Sequence, residues 1–320
     1  MGKALGYLLV FLAAFAGVNA SAAYPERPIR IIVPFTPGDG PDVIARLVGS
    51  KISERLGQPV VIENKAGASG QIALTELARA EPDGYTMALG LVTNLALAPH
   101  AYKSIPYDPL KNFTPVALLG ANYLALVTSP DSPFKTLADM IAWAKANPGK
   151  LSIGTTSIGG FPHMSFELLG NMTGFSFVNI AYKGNGPIIS DVLGGRIEGG
   201  FSSYTGFAPL IQAGKLRLLG ITNPGADPLL PDLPVMGDTV KGYGSLGWFG
   251  LVAPAGTPPA IVDRLNREIN TAMGLEDVRQ TMQKLGMTPA MISPQAFGEI
   301  MTNDYNKFGK LVHDIGFERQ

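Results

Sequence analysis

The sequence lacks cysteine altogether, since none of its 320 residues is a cysteine. This absence excludes disulfide bonds, thiol nucleophiles and cysteine-bound metals. It also excludes the lipid-bearing cysteine that tethers bacterial lipoproteins to a membrane. We therefore expect a chain that is not lipid-anchored and that is held together by the packing of its own core.

The sequence also lacks an excess of charge of either sign. It carries 25 basic and 25 acidic residues, which gives a formal net charge of zero. Proteins that bind nucleic acids or anionic membrane surfaces usually carry a basic patch, so we expect neither partner. The three histidines, His100, His163 and His313, stand alone without the spacing of metal ligands, and we expect no metal site.

Long apolar runs are absent apart from one at the start of the chain. Residues 4–18 are apolar and uncharged, Lys3 precedes them, and residues 19–23 are small or polar. This layout predicts a secretory signal peptide over residues 1–23, cleaved near residues 22–23. The alternative is a transmembrane anchor, which usually needs about 20 apolar residues. We expect a mature chain that begins near Tyr24 and works outside the cytoplasm.

Motifs that carry chemistry are missing or out of context. No phosphate-binding loop with lysine, zinc-binding HExxH or nucleophile-elbow serine occurs. Residues 242–247 have the glycine spacing of a dinucleotide site, but they precede a predicted strand instead of following one. Gly38 and Gly40 have the right context, but Val43 stands where the third glycine belongs. We expect no cofactor and no catalysis, although a nucleotide site at this turn stays open as an alternative.

The most informative segment is a strand, turn, helix and strand over residues 28–65. Residues 29–35 form an apolar, β-branched run typical of a strand buried on both faces. The Pro/Gly-rich turn 36–41 leads to a predicted helix over 42–56, and 60–62 begin the next strand. Such a unit leaves main-chain N–H groups at the helix start, beside the end of a strand, where anions bind.

Two carboxylates complicate this turn. Asp42 is most simply an N-cap of the helix, and the alternative is that it shapes the turn so that N–H groups face a ligand. Asp39 would repel a bound anion unless it points to solvent or meets a hydroxyl or cationic group of the ligand.

The same arrangement of strand, glycine loop and helix recurs at 31–44, 151–166 and 178–193. It predicts an α/β protein with parallel sheets and crossover helices, in which several loops of one kind hold a ligand. Two further apolar runs, 116–119 and 123–128, come close together. Thr136 is predicted to cap a helix over 136–146, and the Pro-rich segment 223–234 is the best linker candidate.

Together these motifs resemble the Bug or TctC family, the extracytoplasmic receptors of tripartite tricarboxylate transporters. The resemblance runs in order through the whole mature chain. It is carried by the segments VPFTPGDGPD (33–42), RLGQPVVIENK (55–65), PDGYT (82–86), YDPLK (107–111), ANPGKL (146–151), YKG (182–184), LGG (193–195), AGKLR (213–217) and APAGTPP (253–259).

The resemblance implies a type II periplasmic binding protein with two Rossmann-like lobes and a ligand cleft between them. Lobe 1 would comprise residues 24–122 plus 248–320, and lobe 2 residues 123–247. Such receptors are periplasmic, and they capture a small organic acid and deliver it to the large and small membrane subunits of a permease. We expect a monomer that binds a di-, tri- or aromatic carboxylate without a cofactor.

The resemblance also implies which residues hold the ligand. Main-chain N–H groups of the first turn and of a glycine loop in lobe 2 would bind a carboxylate, and other loop residues would line the cleft. The candidate residues are Thr36, Gly38, Asp39, Gly40, Asp42, Thr93, Asn94, Thr155, Ser157, Gly159, Gly160, Phe161, His163, Tyr182, Ser202 and Tyr204. For His163 the alternative is a bond to its own loop.

The chain departs from the family pattern at three places. The first turn is altered at Thr36, Asp39 and Pro41, Phe161-Pro162 replaces small hydroxyl residues, and Ser202-Ser203 replaces an Asp-Asn pair. Loss of that Asp argues against an amino-acid ligand, whose ammonium group would need it. Phe161 and Tyr204 either suit a bulky acid or pack internally. Two other functions stay open: an exported α/β enzyme that acts on a small carboxylate, and a receptor for a membrane sensor.

Overall fold

Strands and helices alternate through most of the chain in the computed structural model, which describes residues 24–156, 158–223 and 232–319. The predicted signal peptide, Ser157 and most of the linker candidate 223–234 lie outside the described residues. The strands are β1 (Ile29–Val33), β2 (Val60–Asn64), β3 (Thr86–Leu91), β4 (Phe113–Thr128), β5 (Ser152–Thr155), β6 (Val178–Ala181), β7 (Gly199–Ser203), β8 (Arg217–Ile221), β9 (Leu246–Pro254) and β10 (Met287–Pro289).

The longer helices pack on both faces of these strands. They are α1 (Gly40–Leu56), α2 (Gln71–Leu77), α3 (Leu137–Ala146), α4 (Phe161–Thr173), α5 (Asn185–Leu193), α6 (Tyr204–Gln212), α7 (Pro259–Met273), α8 (Glu276–Lys284) and α9 (Pro294–Asp314). Short helical turns cover Ala68–Gly70, Thr93–Leu97, Ala98–Ala101, Pro109–Asn112 and Met236–Thr239. Thr136 caps α3 in a capping box with Asp139, as the sequence predicts.

The described strands form one continuous sheet in the order β2-β1-β3-β9-β4-β7-β5-β6, with β8 and β10 also paired to β4. Strands β1, β2 and β3 are parallel, as are β5, β6 and β7. The prediction of parallel sheets is therefore right for these two groups. It is wrong for the middle, where β4 and β9 run antiparallel to their neighbours.

Strand β4 connects the two parallel groups. Its residues 113–123 pair with β9, and its residues 124–128 pair with β7 and β8. The two apolar runs 116–119 and 123–128 belong to this one strand, which continues through Pro115 and Gly120. The pairing register between β4 and β9 shifts beside both residues. Such irregularities are typical of these residue types, because proline has no N–H to donate and glycine has no side chain to pack.

The first strand–helix unit forms as its sequence predicts. Ile29, Ile31 and Val33 are fully buried in β1. In α1, Ile44, Val48 and Ile52 recur every four residues and face the sheet. Helix α1 ends at Gly57, which adopts a positive φ of 67° as a left-handed cap.

Helix α9 packs across the middle of the molecule. Phe297 stacks edge-on against Trp248 of β9, and Phe308 does the same with Phe161 at the start of α4. The Trp248 indole N–H donates to Asp304 of α9 at 2.6 Å. These contacts connect α9 both to the crossing strand β9 and to the helix that begins at β5.

Asn266 of α7 is a buried polar link that the fold depends on. Its Nδ2 donates to the Val116 carbonyl at 2.8 Å and to the Ile292 carbonyl at 3.0 Å. Asn266→Ala leaves the Val116 carbonyl without this donor, so we expect a loss of about 2 kcal/mol in the free energy of unfolding. Urea denaturation measures this loss. The exposed Asn303→Ala serves as control, and an equal effect of both variants would contradict the assignment.

Candidate ligand-binding site

A cavity of about 390 Å³ lies where several strands of the two groups end. This volume is within the range of small-molecule sites. It is lined by Leu91, Val92, Thr93, Asn122, Leu124, Thr156, Phe161, Pro162, Gly184, Asn185, Ser202, Ser203, Gly247 and Trp248. No lysine, arginine, aspartate or glutamate is among these lining residues.

Two helix starts face this cavity from one side. Phe161 and Pro162 begin α4 just after β5, and Gly184 and Asn185 begin α5 just after β6. Among the described residues, the main-chain N–H groups of Phe161 and Asn185 have no hydrogen-bond partner. Each helix start carries a partial positive charge of about half an elementary charge. The two starts therefore offer neutral donors to an anion.

Ser202, at the end of β7, adds a hydroxyl to the same side. It is 3% exposed, and within the described part of the chain its hydroxyl has no hydrogen-bond partner. Ser203 also lines the cavity, but its hydroxyl is hydrogen-bonded to that of Thr205 at 2.8 Å. Ser202 therefore offers an uncommitted hydroxyl to a ligand in the cavity.

A further part of the lining comes from the end of β3 and from the crossing strands. Leu91, Val92, Leu124 and Trp248 make it mostly apolar, and Thr93 and Asn122 add neutral polar groups. The Trp248 N–H is already used by Asp304. The lining is thus uncharged and combines neutral polar groups with apolar side chains.

The structure brings three of the predicted site residues to this cavity: Thr93, Phe161 and Ser202. Gly160 caps α4 directly before Phe161. Asn94 lies next to Thr93 but is fully buried, and its Oδ1 accepts the Leu91 N–H at 2.8 Å. Ser157 is outside the described residues.

Several lining residues were missed by the sequence analysis. Gly184 and Asn185 stand in the third glycine loop. The YKG segment (182–184) indicated that loop, but neither of these two residues was predicted to bind the ligand. Asn122, Leu124, Gly247 and Trp248 lie on the crossing strands, where no local pattern distinguishes a cavity wall from an ordinary strand.

The first turn is not among the residues that line this cavity, and several of its polar groups bond within the protein. The Gly38 N–H donates to Asp42 Oδ2 at 2.8 Å, and the Asp39 N–H donates to the Thr36 carbonyl at 3.3 Å. The Thr36 hydroxyl donates to Asp39 Oδ2 at 2.8 Å. Gly38 has a positive φ of 91°, which favours glycine. A Cβ on Gly40 would lie 2.7 Å from the Met287 Cε atom, so Gly40 faces Met287.

The prediction of Asp42 as N-cap is wrong, because Asp39 occupies the cap position and Asp42 lies inside the first turn of α1. Asp42 is 1% exposed and also accepts from the Asn64 amide and from Arg46. Burial favours its neutral form, but the Gly38 N–H, Asn64 and Arg46 together hold the pKa of the Asp42 carboxyl below its usual range. Asp42 therefore shapes the turn by accepting the hydrogen bond of the Gly38 N–H group.

In the loop after β5, the polar groups bond mainly to one another. The Gly159 N–H donates to His163 Nδ1 at 2.9 Å, and His163 Nε2 lies 3.3 Å from Glu167 Oε1. His163 is thus placed as in the alternative, bonded to its own loop. The Thr155 hydroxyl donates to Asn179 Oδ1 at 2.7 Å and is fully buried.

Tyr182 and Tyr204 lie away from the cavity. The Tyr182 hydroxyl donates to Asp191 at 2.7 Å, and burial together with this carboxylate raises its pKa to about 12. Tyr204 lines a second cavity of about 320 Å³ between α6 and the corner of α8 and β10, where Met287 and Thr288 also lie.

Comparison with known proteins identifies the chain. The family described as "Tripartite tricarboxylate transporter family receptor" matches residues 44–317. The chain belongs to this family. BugT of Bordetella pertussis is 34% identical over 327 residues, which cover 99% of this chain and 98% of BugT. The resemblance that the sequence motifs carry is confirmed.

Solved structures agree with the receptor's fold. Rpa4515 of R. palustris with adipate is 32% identical, with a TM-score of 0.75 over 93% of this chain and 100% of that chain. MatC of Rhodopseudomonas palustris with bound malate is 28% identical, with a TM-score of 0.71 over 90% and 100% of the two chains. The receptor has the fold of periplasmic solute-binding proteins, as predicted.

The family and the fold are those of solute-binding receptors, and family members are periplasmic binding proteins. Among the receptor's described helices, none combines the length and the apolar composition that a membrane crossing requires.

The first turn provides a test of Asp42. Because its pKa is lowered in the folded state, Asp42 stabilises the receptor above the unfolded carboxyl value of about 3.9, and this contribution is lost as the pH falls below it. Asp42→Asn should therefore lower the free energy of unfolding by about 2 kcal/mol at pH 7. Its difference from the unmodified receptor should shrink near pH 3, as measured by urea denaturation.

The matched control is Asp131→Asn, since Asp131 is exposed. It should leave the free energy of unfolding nearly unchanged at both pH values. An Asp42→Asn receptor that is as stable as the control at pH 7 would show that this carboxylate does not hold the turn.

Proposed function

We propose that this receptor captures a small organic acid in the periplasm and delivers it to the large and small membrane subunits of a tripartite tricarboxylate transporter. One observation carries the proposal: the starts of α4 and α5 and Ser202 line the same cavity, whose described lining residues carry no charge. Such donors bind an anion through dipoles and main-chain hydrogen bonds.

The ligands of two relatives support the acid as the ligand class. Rpa4515 was solved with adipate, and MatC was solved with malate. Both ligands are small carboxylates, so a site that offers neutral donors and no cation suits the same chemical class.

Capture would proceed by closure of two lobes around the acid. We assign residues 24–122 plus 248–320 to lobe 1 and residues 123–247 to lobe 2. The strand pairing supports these boundaries, because β4 changes partners near residue 123. Strands β4 and β9 would form the hinge between the lobes, and the acid would be held where lobe 2 presents its helix starts.

Several features of the predicted receptor belong to the same proposal. The signal peptide 1–23 would direct the chain to the periplasm, where a cofactor-free monomer would bind its acid without turning it over. An exported enzyme and a receptor for a membrane sensor are the competing functions. The sensor role could use the same closed lobes, whereas an enzyme would consume its ligand.

The proposal is tested with the purified mature receptor and a panel of mono-, di- and tricarboxylates and aromatic acids. Native mass spectrometry should find one acid per chain, and the same acid should raise the melting temperature in a concentration-dependent way. Chromatography should recover the acid unchanged. Stabilisation by sugars or cations and by no acid would reject the proposal.

Ser202→Asp provides a direct test of the polar wall. A carboxylate at Ser202 would face the acid at short range and would repel it, so we expect at least a tenfold loss of affinity by isothermal titration calorimetry. Ser190→Asp is the matched control, because Ser190 is exposed on α5 and outside the cavity. The melting temperature of each ligand-free variant checks its folding, and unchanged affinity in a folded Ser202→Asp receptor would remove Ser202 from the site.

A further inference from the structure

We infer that His163 is a positioning residue of the proposed site, and that it holds the start of α4 in place only while its imidazole is neutral. The affinity of the receptor for its acid should therefore fall as the pH falls. This inference rests on the proposed function, in which the Phe161 N–H donates to the ligand, and it adds a pH dependence to that function.

The first step is the hydrogen bond that fixes the state of the imidazole. The main-chain N–H of Gly159 donates to His163 Nδ1 at 2.9 Å. A main-chain N–H is always a donor, so Nδ1 is the acceptor and carries no proton. The neutral imidazole then carries its proton on Nε2, which lies 3.3 Å from Glu167 Oε1. One tautomer thus satisfies both neighbours.

The second step is the position of this bond relative to the cavity. Gly159 directly precedes Gly160, which caps α4, and Phe161 is the first residue of that helix. Gly159 has a positive φ of 67°, a conformation that favours glycine. The side chain of His163, in the first turn of α4, therefore reaches back to the loop and fixes where the helix and its Phe161 N–H begin.

The third step is the packing of the imidazole. His163 is 7% exposed, so its ring is not a freely hydrated surface group. The ring packs edge-on against Phe177 and Phe317, with centroid distances of 6.0 and 6.1 Å. Aromatic rings from two other parts of the chain thus hold the imidazole at the loop. A ring held in this way does not turn to solvent without breaking these contacts.

A proton on Nδ1 removes the acceptor of the loop. The protonated imidazole has two donors and no acceptor, so its Nδ1–H would face the Gly159 N–H and the bond would be lost. Glu167 on α4 is placed to pair with the imidazolium, so a charged ring has a partner. Phe177 and Phe317 are neutral, and the charged residues that follow Phe317 are exposed. These charged residues are Glu318 and Arg319.

Two effects of protonation oppose each other at the site. The imidazolium would attract an acid, whereas loss of the Gly159 bond would release the start of α4. The attraction is the smaller effect, because His163 is not among the residues that line the cavity and its charge would act at a distance. The Phe161 N–H, by contrast, would lose a direct hydrogen bond to a charged group. We therefore expect weaker binding at low pH.

The pH profile is measured with the most stabilising acid of the panel, by isothermal titration calorimetry at pH 7.5 and pH 5.5, a range in which histidine changes charge. The unmodified receptor should lose about fivefold in affinity between these values. His163→Asn should not show this loss, because its amide oxygen takes the position of Nδ1, accepts the Gly159 N–H and does not ionise. Comparison of the two receptors at the same pH cancels the protonation of the acid itself.

Two further variants separate positioning from folding. His163→Leu keeps an apolar bulk but offers no acceptor, so it should lose about fivefold in affinity at pH 7.5, a loss that His163→Asn rescues. His313→Asn is the matched control, because His313 is exposed on α9 and outside the cavity. It should leave the pH profile unchanged. The melting temperature of each ligand-free variant checks its folding.

A readout without ligand tests the first step by itself. In the nitrogen NMR spectrum of the isotope-labelled receptor at pH 7.5, His163 should carry its proton on Nε2 and none on Nδ1. The signal is assigned by its absence from the spectrum of His163→Asn. A proton on Nδ1 at pH 7.5 would overturn the inference, whichever acid the receptor binds.

The possible results separate the two proposals. An acid that binds with the same pH profile to the unmodified receptor and to His163→Asn, or more tightly at pH 5.5, would overturn the inference and leave the organic-acid receptor standing. A folded His163→Asn receptor that binds as weakly as His163→Leu would likewise overturn the role of the acceptor atom. No binding of any acid at either pH would reject the proposed function, and the inference with it.

Discussion

The structure depends on one property of the polypeptide: a helix that begins where a buried strand ends leaves main-chain N–H groups without acceptors. Helices α4 and α5 begin after the loops that follow β5 and β6, of which β6 is a partly exposed edge strand. Their strands, β5 and β6, are parallel neighbours, and β7 pairs with β5 on its other side. Because parallel strands end at the same edge, the two helix starts and Ser202 come together without any charged side chain. The proposed binding of an anion here would therefore follow from the sheet topology.

The two parallel groups of strands use the same construction with different results. After β1, the carboxylate of Asp42 fills the helix start from within, supported by Asn64 and Arg46. After β5 and β6, no carboxylate in the part of the chain that the structure describes does this for the Phe161 and Asn185 N–H groups. Strands β4 and β9 connect the two groups and supply the apolar wall between them. In the first group the chain's own carboxylate thus bonds to the turn, whereas the second group supplies the helix starts of the proposed site.

Much of this architecture follows from the sequence. The apolar strand 29–33, the helix period of Ile44, Val48 and Ile52, and the capping residue Thr136 are local signals that predict their elements correctly. The antiparallel crossing of β4 and β9 was not predicted, because pairing between residues so far apart in the chain leaves no local signal. The candidate site likewise contains residues with a local sequence signal and residues without one. Thr93, Phe161 and Ser202 stand at strand ends and were predicted, whereas Leu124 and Trp248 are ordinary strand residues that become a cavity wall only through the crossing. Asp42 was expected to cap the helix, and its actual role depends on Gly38, Asn64 and Arg46 converging on one carboxylate.

The central claim is that open main-chain N–H groups, and not cationic side chains, hold the ligand's carboxylate. The most direct measurement is a crystal structure of the receptor with its most stabilising acid. The account predicts carboxylate oxygens within hydrogen-bond distance of the Phe161 or Asn185 N–H groups and the Ser202 hydroxyl, with the rest of the acid against Leu91 and Leu124. A carboxylate bound by a lysine or arginine, or seated in the turn at Gly38, would contradict it.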